Sequence, residues 1–174
     1  VGVEAGAGEA SGYPDAAYRA AGVQVLPDAA ALYDAAELVV KVKEPVAGDL
    51  QHLRADHRLF CFLHLAAAPG LTERLRAIGL TAVGFETVEE ADGGLPLLAP
   101  MSDIAGRIAA QAGTHYLYRP SGGKGLLLGG LPAAERGRVV VLGAGNAGGN
   151  AAAMAAAIGA EVTVFDRKRE KLAT

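Results

Sequence analysis

VVVLGAGNAGGNAAAMAAAIGAEVTVFD, residues 139–166, reads as strand, glycine turn, helix, strand and acid. The apolar run 139–142 feeds directly into Gly143, Gly145 and Gly148. A helix of small residues follows, and Gly159 marks its end. A second strand then delivers Asp166. This is the fingerprint of a dinucleotide site, with each part in its required context. Gly143 permits the tight turn. Gly145 lets backbone approach a pyrophosphate, and Gly148 lets the helix lie close to the strand. The helix start offers unpaired N–H groups and partial positive charge to phosphates. Asp166 stands where a carboxylate accepts hydrogen bonds from the adenosine ribose. That carboxylate repels a 2′-phosphate, whereas Arg167, Lys168 and Arg169 would attract one. The acid is placed for direct contact and the basic run opens a helix, so NAD is the expected cofactor rather than NADP.

Upstream, strands and helices alternate. Strands are expected over 1–5, 23–26, 38–43, 59–65 and 81–85, and helices over 15–21, 28–35, 71–78 and 102–118. Gly22 and Gly79 read as helix C-caps, and Pro14, Pro27 and Pro69 sit where helices start. Repeated βα units imply a parallel sheet covered by helices. The expected fold class is therefore α/β. It comprises a parallel-sheet substrate domain over 1–120, incomplete at its start, a glycine-rich connection over 121–137, and the first βαβ unit of a Rossmann domain over 138–174. The GGKG within the connection is not a phosphate loop, because Gly125 occupies the Ser/Thr position. A dinucleotide fold normally has about six parallel strands, so this chain is expected to be a piece of a longer protein, cut at both ends.

Composition narrows the function classes. Hydrophobic residues make up 51% of the 174, enough for a sizeable core. A net charge of −3 implies no polyanionic partner, so no nucleic acid is expected. No apolar run is long enough for a membrane span and no signal-peptide pattern is present. The single Cys61 excludes an internal disulfide and suits a reducing cytoplasm. Within LFCFL it reads as a small buried hydrophobe. His52, His57 and His115 show no ligand spacing, so no metal site is readable.

Parallel sheets place ligands beyond the carboxyl ends of their strands. LVVKVK ends on Lys43, LFCFLHL carries His64 near its end, and TAVGFE ends on Glu86. Parallel strands would set all three along one rim facing a cleft towards the glycine-motif domain. A cation, an imidazole and a carboxylate together can bind and deprotonate a small anion. Each also has a plainer reading. Lys43 could be solvated like Lys41, two residues before it. His64 could be a hydrogen-bonded core residue. Glu86 is expected to satisfy backbone groups in its following loop. Ser102 reads as a helix N-cap after Pro100 and Met101, or as a cofactor contact.

LVVKVKEP (38–45), FCFLHLAA (60–67), GFETVEEADGGLPLLAPMSDIAGRIAAQAG (84–113), GGKGLLLGG (122–130) and VVVLGAGNAGGNAA (139–152) resemble alanine dehydrogenase, nearly collinearly over the chain. KVKEP, LHLAA and LPLLAPMS-x-x-AGR are far more specific than the glycine motif. VGVEAGAGEASGY (1–13) resembles an internal segment of that family. The resemblance implies reversible oxidation of L-alanine with NAD and water to pyruvate, ammonium and NADH. It assigns Lys43 to the substrate's carboxylate or carbonyl end and His64 to catalysis. Histidine suits proton exchange near neutrality. It assigns Ser102, the glycine-turn residues Gly143, Gly145, Asn146, Ala147 and Gly148, then Asp166 and Lys171, to NAD. It also implies a homohexamer.

The family's substrate-clamping arginine would precede Val1, and its catalytic aspartate would follow Thr174. Holding both reactants in attack geometry supplies much of a hydride-transfer rate, so the isolated piece is expected to show no turnover. Two rival readings are the NAD-binding subunit of proton-translocating transhydrogenase, which does not need a lysine–histidine pair for an amino acid, and a non-catalytic dinucleotide-binding module. Saccharopine- and lysine-oxidising relatives fit the motifs less well.

Overall fold

The computed structural model describes residues 1–173; Thr174, the last residue of the expected 138–174 domain, lies outside the described residues. The chain forms two compact units, Val1–Glu89 and Glu90–Thr174. The first alternates strand and helix as β1 (Gly2–Glu4), α1 (Asp15–Ala20), β2 (Gln24–Leu26), α2 (Ala29–Ala35), β3 (Leu38–Val40), α3 (Ala47–Leu50), β4 (Arg58–Cys61), α4 (Pro69–Ile78) and β5 (Thr81–Gly84). The second holds α5 (Ala99–Leu117), β6 (Arg138–Leu142), α6 (Asn146–Ile158) and β7 (Glu161–Phe165).

Among the described residues every pairing between the named strands is parallel, as the βα alternation requires. The first unit contains two sheets, β1–β2 and β3–β4–β5, rather than one continuous layer. Local chemistry explains the helix boundaries. Asp28 caps α2 by accepting from the Ala31 N–H at 2.8 Å. Pro69 opens α4, and Gly79 closes it with φ 81°. The strands stop earlier than their apolar runs suggest. Residues 41–43 and 62–64 continue past the strands as loops, and Leu65 opens a 3-10 turn, Leu65–Ala67.

The core of the first unit gathers Tyr33, Leu53, Leu59, Cys61, Leu63 and Leu75. Leu59 and Cys61 alternate onto one face of β4 while Phe60 points to the other. Cys61 is fully buried, and burial pushes its thiol up to about 11, so it behaves as the small hydrophobe that its apolar context suggested. His57 is buried with both ring nitrogens engaged: Nδ1 accepts from the Arg54 N–H at 3.1 Å, and Nε2 donates to the Tyr33 carbonyl at 3.0 Å.

In the second unit, α5 and α6 lie in close contact. Gly106, the buried residue of α5, explains the closeness: a Cβ there would overlap the Ala147 carbonyl. Asn150 ties the pair, donating to Asp103 at 3.0 Å and accepting from Arg107 at 2.9 Å. The segment 121–137 folds back on its own unit. Leu128 is buried, the Gly125 N–H reaches the Leu117 carbonyl, and Gly129 sits against the Ile158 carbonyl.

Candidate active site

Because β3, β4 and β5 run parallel, their carboxyl ends share one edge of one sheet. The pairing between the first two continues a little beyond the strands. The Lys41 N–H reaches the Phe60 carbonyl at 3.2 Å, and the Phe62 N–H reaches the Val42 carbonyl at 3.1 Å. Lys43 and His64 follow immediately, both exposed, and Glu86 follows β5 in a 3-10 turn, Phe85–Thr87. The three candidate side chains thus leave the same sheet edge.

His64 is not a core residue. It is exposed and adopts φ 49°, the one positive φ outside glycine among the described residues. Such a conformation costs an L-residue about 1–2 kcal/mol and persists only where surroundings enforce it. Here they do. Glu86 Oε1 accepts from the His64 N–H at 2.7 Å, and both its oxygens lie 3.2 Å from the Leu63 N–H. The Thr72 hydroxyl donates to the Leu65 carbonyl at 3.1 Å on the far side of the bend. The imidazole stacks on buried Phe62, centroids 5.8 Å apart and planes within 7°. Leu63, His64, Gly84, Glu86 and Thr87 line one concave surface.

Glu86 does satisfy backbone amides, but across the sheet edge rather than only in its own loop. Parallel pairing sets the loops after β4 and β5 side by side, so its carboxylate reaches the neighbouring loop. Burial alone would raise its pKa. The N–H groups of Glu86 itself, His64 and Leu63 outweigh that and hold it below the ordinary carboxylate range. A carboxylate held low in the folded chain stabilises fully above its unfolded pKa, and that contribution disappears as pH falls through the folded value. Glu86→Gln is therefore expected to lose less stability on acidification than the unaltered chain. Urea midpoints measured down the acid limb check this, and parallel curves would refute it.

Lys41 is not solvated in the way the sequence suggested. It forms an ion pair with Asp49 on α3, a helix too short to leave a periodic signal. Lys43, two residues on, is exposed.

In the second unit, β6 and β7 pair along their full length from Arg138↔Glu161 to Leu142↔Phe165. The Gly143 N–H adds a bond to the Phe165 carbonyl at 2.7 Å, and φ 102° at Gly143 turns the chain out of the sheet. Gly145 precedes α6 as its N-cap, without a side-chain cap, so the first amides of the helix have no side-chain partner. A Cβ built on Gly145 meets nothing within 4 Å, whereas one on Gly148 would overlap the Gly143 carbonyl. Asn146, Ala147 and Gly148 form the first turn of α6.

Asp166 ends this strand pair and grips the glycine turn. Its Oδ2 accepts from the Ala144 N–H and its Oδ1 from the Lys168 N–H, each at 2.7 Å. Those two amide bonds, the Lys168 one first, hold its carboxyl below the usual range, with Lys171 and Arg167 adding charge. Each oxygen keeps a second lone pair beyond that bond. The grip on Ala144 joins residues 22 apart and has no local sequence signal. Gly143, Asp166, Lys168 and Lys171 line a second concave surface.

Ser102 is not an N-cap. The chain already turns at Leu95–Leu98, α5 starts at Ala99 with Pro100 in its first turn, and the Ser102 N–H donates to the Leu98 carbonyl. Ser102 lies one helical turn before Gly106, which abuts Ala147.

Residues 1–105 match the family described as alanine dehydrogenase/PNT, N-terminal domain, and residues 109–174 match alanine dehydrogenase/PNT, C-terminal domain. Alanine dehydrogenase of Mycobacterium tuberculosis H37Rv is 51% identical over 170 residues, which is 98% of this chain and 46% of that protein. A solved L-alanine dehydrogenase superposes with TM-score 0.88 at 48% identity, covering 99% of this chain and 48% of the other. A transhydrogenase from Sinorhizobium meliloti follows with TM-score 0.76 at 26% identity, covering 98% and 51%. The chain spans about half the length of the relatives it matches.

Proposed function

From the premise that this chain belongs to the alanine dehydrogenase/PNT family, we propose that the complete protein oxidises L-alanine to pyruvate and ammonium with NAD. The carrying observation is His64: exposed, forced into a left-handed bend by Glu86, and leaving the same sheet edge as Lys43. A strained residue held so firmly points to a use other than packing.

Lys43 supplies a mobile ammonium for the substrate's carboxylate or carbonyl oxygen. His64 exchanges protons with the amine and with the water that hydrolyses the imine formed from alanine. Glu86 keeps its carboxylate on the loop amides, which leaves the imidazole as the proton carrier. The second unit fits a dinucleotide: open space at Gly145 for the diphosphate, amides of Asn146 and Ala147 to receive it, and free lone pairs on Asp166 for the ribose. Lys171 lies beside Asp166, and Ser102 belongs to the same proposed set. When bound, NAD supplies the ring that accepts hydride from the alanine Cα. Asp166 favours a free 2′-hydroxyl over a 2′-phosphate.

The functional division remains part of this proposal: 1–120 for substrate, 121–137 as connection and 138–174 for cofactor. A cytoplasmic homohexamer is proposed on family grounds alone.

The test is the full-length protein with L-alanine and either NAD or NADP, followed by absorbance of the reduced ring. Alanine-dependent reduction of NAD in preference to NADP upholds the proposal. NADH binding without any response to alanine or pyruvate would favour a transhydrogenase-type subunit or a binding module, in line with the weaker transhydrogenase likeness. The isolated 174-residue chain, which spans about half the length of the relatives it matches, is expected to be inactive.

A further inference from the structure

We propose that Asp49 is a positioning residue that clasps the loop carrying Lys43, an inference that rests on the substrate role given to Lys43 above. The loop leaves β3 at Lys41 and ends at Val46, where α3 begins. Its two ends converge on one atom. The Lys41 ammonium and the Val46 N–H, the latter at 2.8 Å, both donate to Asp49 Oδ2. The other oxygen, Oδ1, accepts from the Tyr33 hydroxyl at 2.8 Å. Tyr33 is a buried core residue, so the clasp is fastened to the body of the unit rather than to another loop.

The chemistry suits a permanent fastening. Burial alone would raise the Asp49 pKa, but the bonds from Lys41, Val46 and Tyr33 outweigh it and keep the group anionic. Burial first, then the adjacent carboxylate, raises the Tyr33 hydroxyl, so it stays a donor. The Lys41 side chain is 26% exposed and that of Asp49 16%, so the pair is screened less than a surface ion pair.

The consequence reaches Lys43 through geometry. A lysine has a flexible four-carbon stem, so only its backbone can be placed in advance. Closing 41–46 on one carboxylate fixes that backbone. The Val42 carbonyl simultaneously receives the Phe62 N–H, two residues before His64. The clasp therefore sets the origin of Lys43 relative to the bend at His64, without either side chain touching Asp49.

Asp49→Asn in the full-length protein removes the charge and keeps the shape; Lys41→Gln loosens one end of the loop only and serves if the first variant folds poorly. The expected result is a pyruvate KM raised roughly tenfold with kcat changed less than about threefold, the pattern of lost binding rather than lost chemistry. NADH affinity should not change. Hydrogen exchange of the Lys41, Val46 and Phe62 amides, which are bonded at the loop, should quicken about tenfold while β4 keeps its protection. If the unaltered protein is active, anything short of both the KM rise and the local exchange overturns the clasp, as does exchange that quickens throughout the unit. If the unaltered protein ignores alanine, the function proposed above fails, and exchange alone decides: faster locally upholds the clasp, unchanged overturns it.

Discussion

His64→Asn in the complete protein is expected to lower alanine oxidation by about 10²–10⁴-fold, the usual contribution of a positioned general acid–base group. The same change should leave stability almost untouched. Asparagine is one of the few residues that visits the left-handed region readily, and the groups that enforce φ 49° here act on the backbone: the Glu86 carboxylate on the Leu63 and His64 amides, and Thr72 on the Leu65 carbonyl. What asparagine loses is the imidazole, with its stack on Phe62 and its proton exchange near neutrality. The two readouts are therefore expected to separate. Turnover is followed by NADH absorbance and stability by the urea midpoint. Turnover within threefold of the unaltered protein would remove His64 from the chemistry. A large fall in the urea midpoint would instead make its strained bend a matter of folding.

Gly148→Ala is expected to disable the nucleotide side, whereas Gly149→Ala, one residue along, is expected to be tolerated or mildly stabilising. Both glycines lie in α6. A Cβ on Gly148 would run into the Gly143 carbonyl, and Val141 Cγ1 waits behind it at 3.3 Å. Neither atom is the free end of a flexible side chain, so α6 must lift off β6, and the turn at Gly143 must shift with it. Overpacking of this kind typically costs about 1–3 kcal/mol, and it displaces the amides that would receive a diphosphate. NADH affinity should fall more than tenfold, or the variant should fail to accumulate as folded protein. A Cβ on Gly149 meets nothing within 4 Å. Alanine there brings the helix-propensity gain of about 1 kcal/mol over glycine. NADH titration and thermal melting of the two variants side by side provide the check. Equal behaviour of the pair would show that α6 does not depend on close approach to the turn.

Several features were readable from local chemistry. Apolar runs punctuated by Gly and Pro located the seven strands and five of the six α-helices among the described residues to within a few positions, because capping and burial there obey short-range rules. The parallel arrangement followed from alternation, and with it the expectation that Lys43, His64 and Glu86 share an edge. The glycine turn and Asp166 stood out because close backbone approach leaves a mark in composition. Others were invisible. Four-residue α3 spans little more than one helical turn, so no periodicity could develop and Asp49 with its hold on Lys41 had no signal. Ser102 looked like a cap because it follows Pro100, yet the chain had already turned at Leu95.

The sequence by itself determined that parallel strands would bring the candidates Lys43, His64 and Glu86 to one sheet edge. Tertiary structure alone decided how they are held. Glu86 reaches amides 22 and 23 residues away, Asp166 reaches one 22 away, and Asp49 joins Tyr33 across 16. Bonds at such separations depend on which loops the sheet sets side by side, and residue order does not encode that locally.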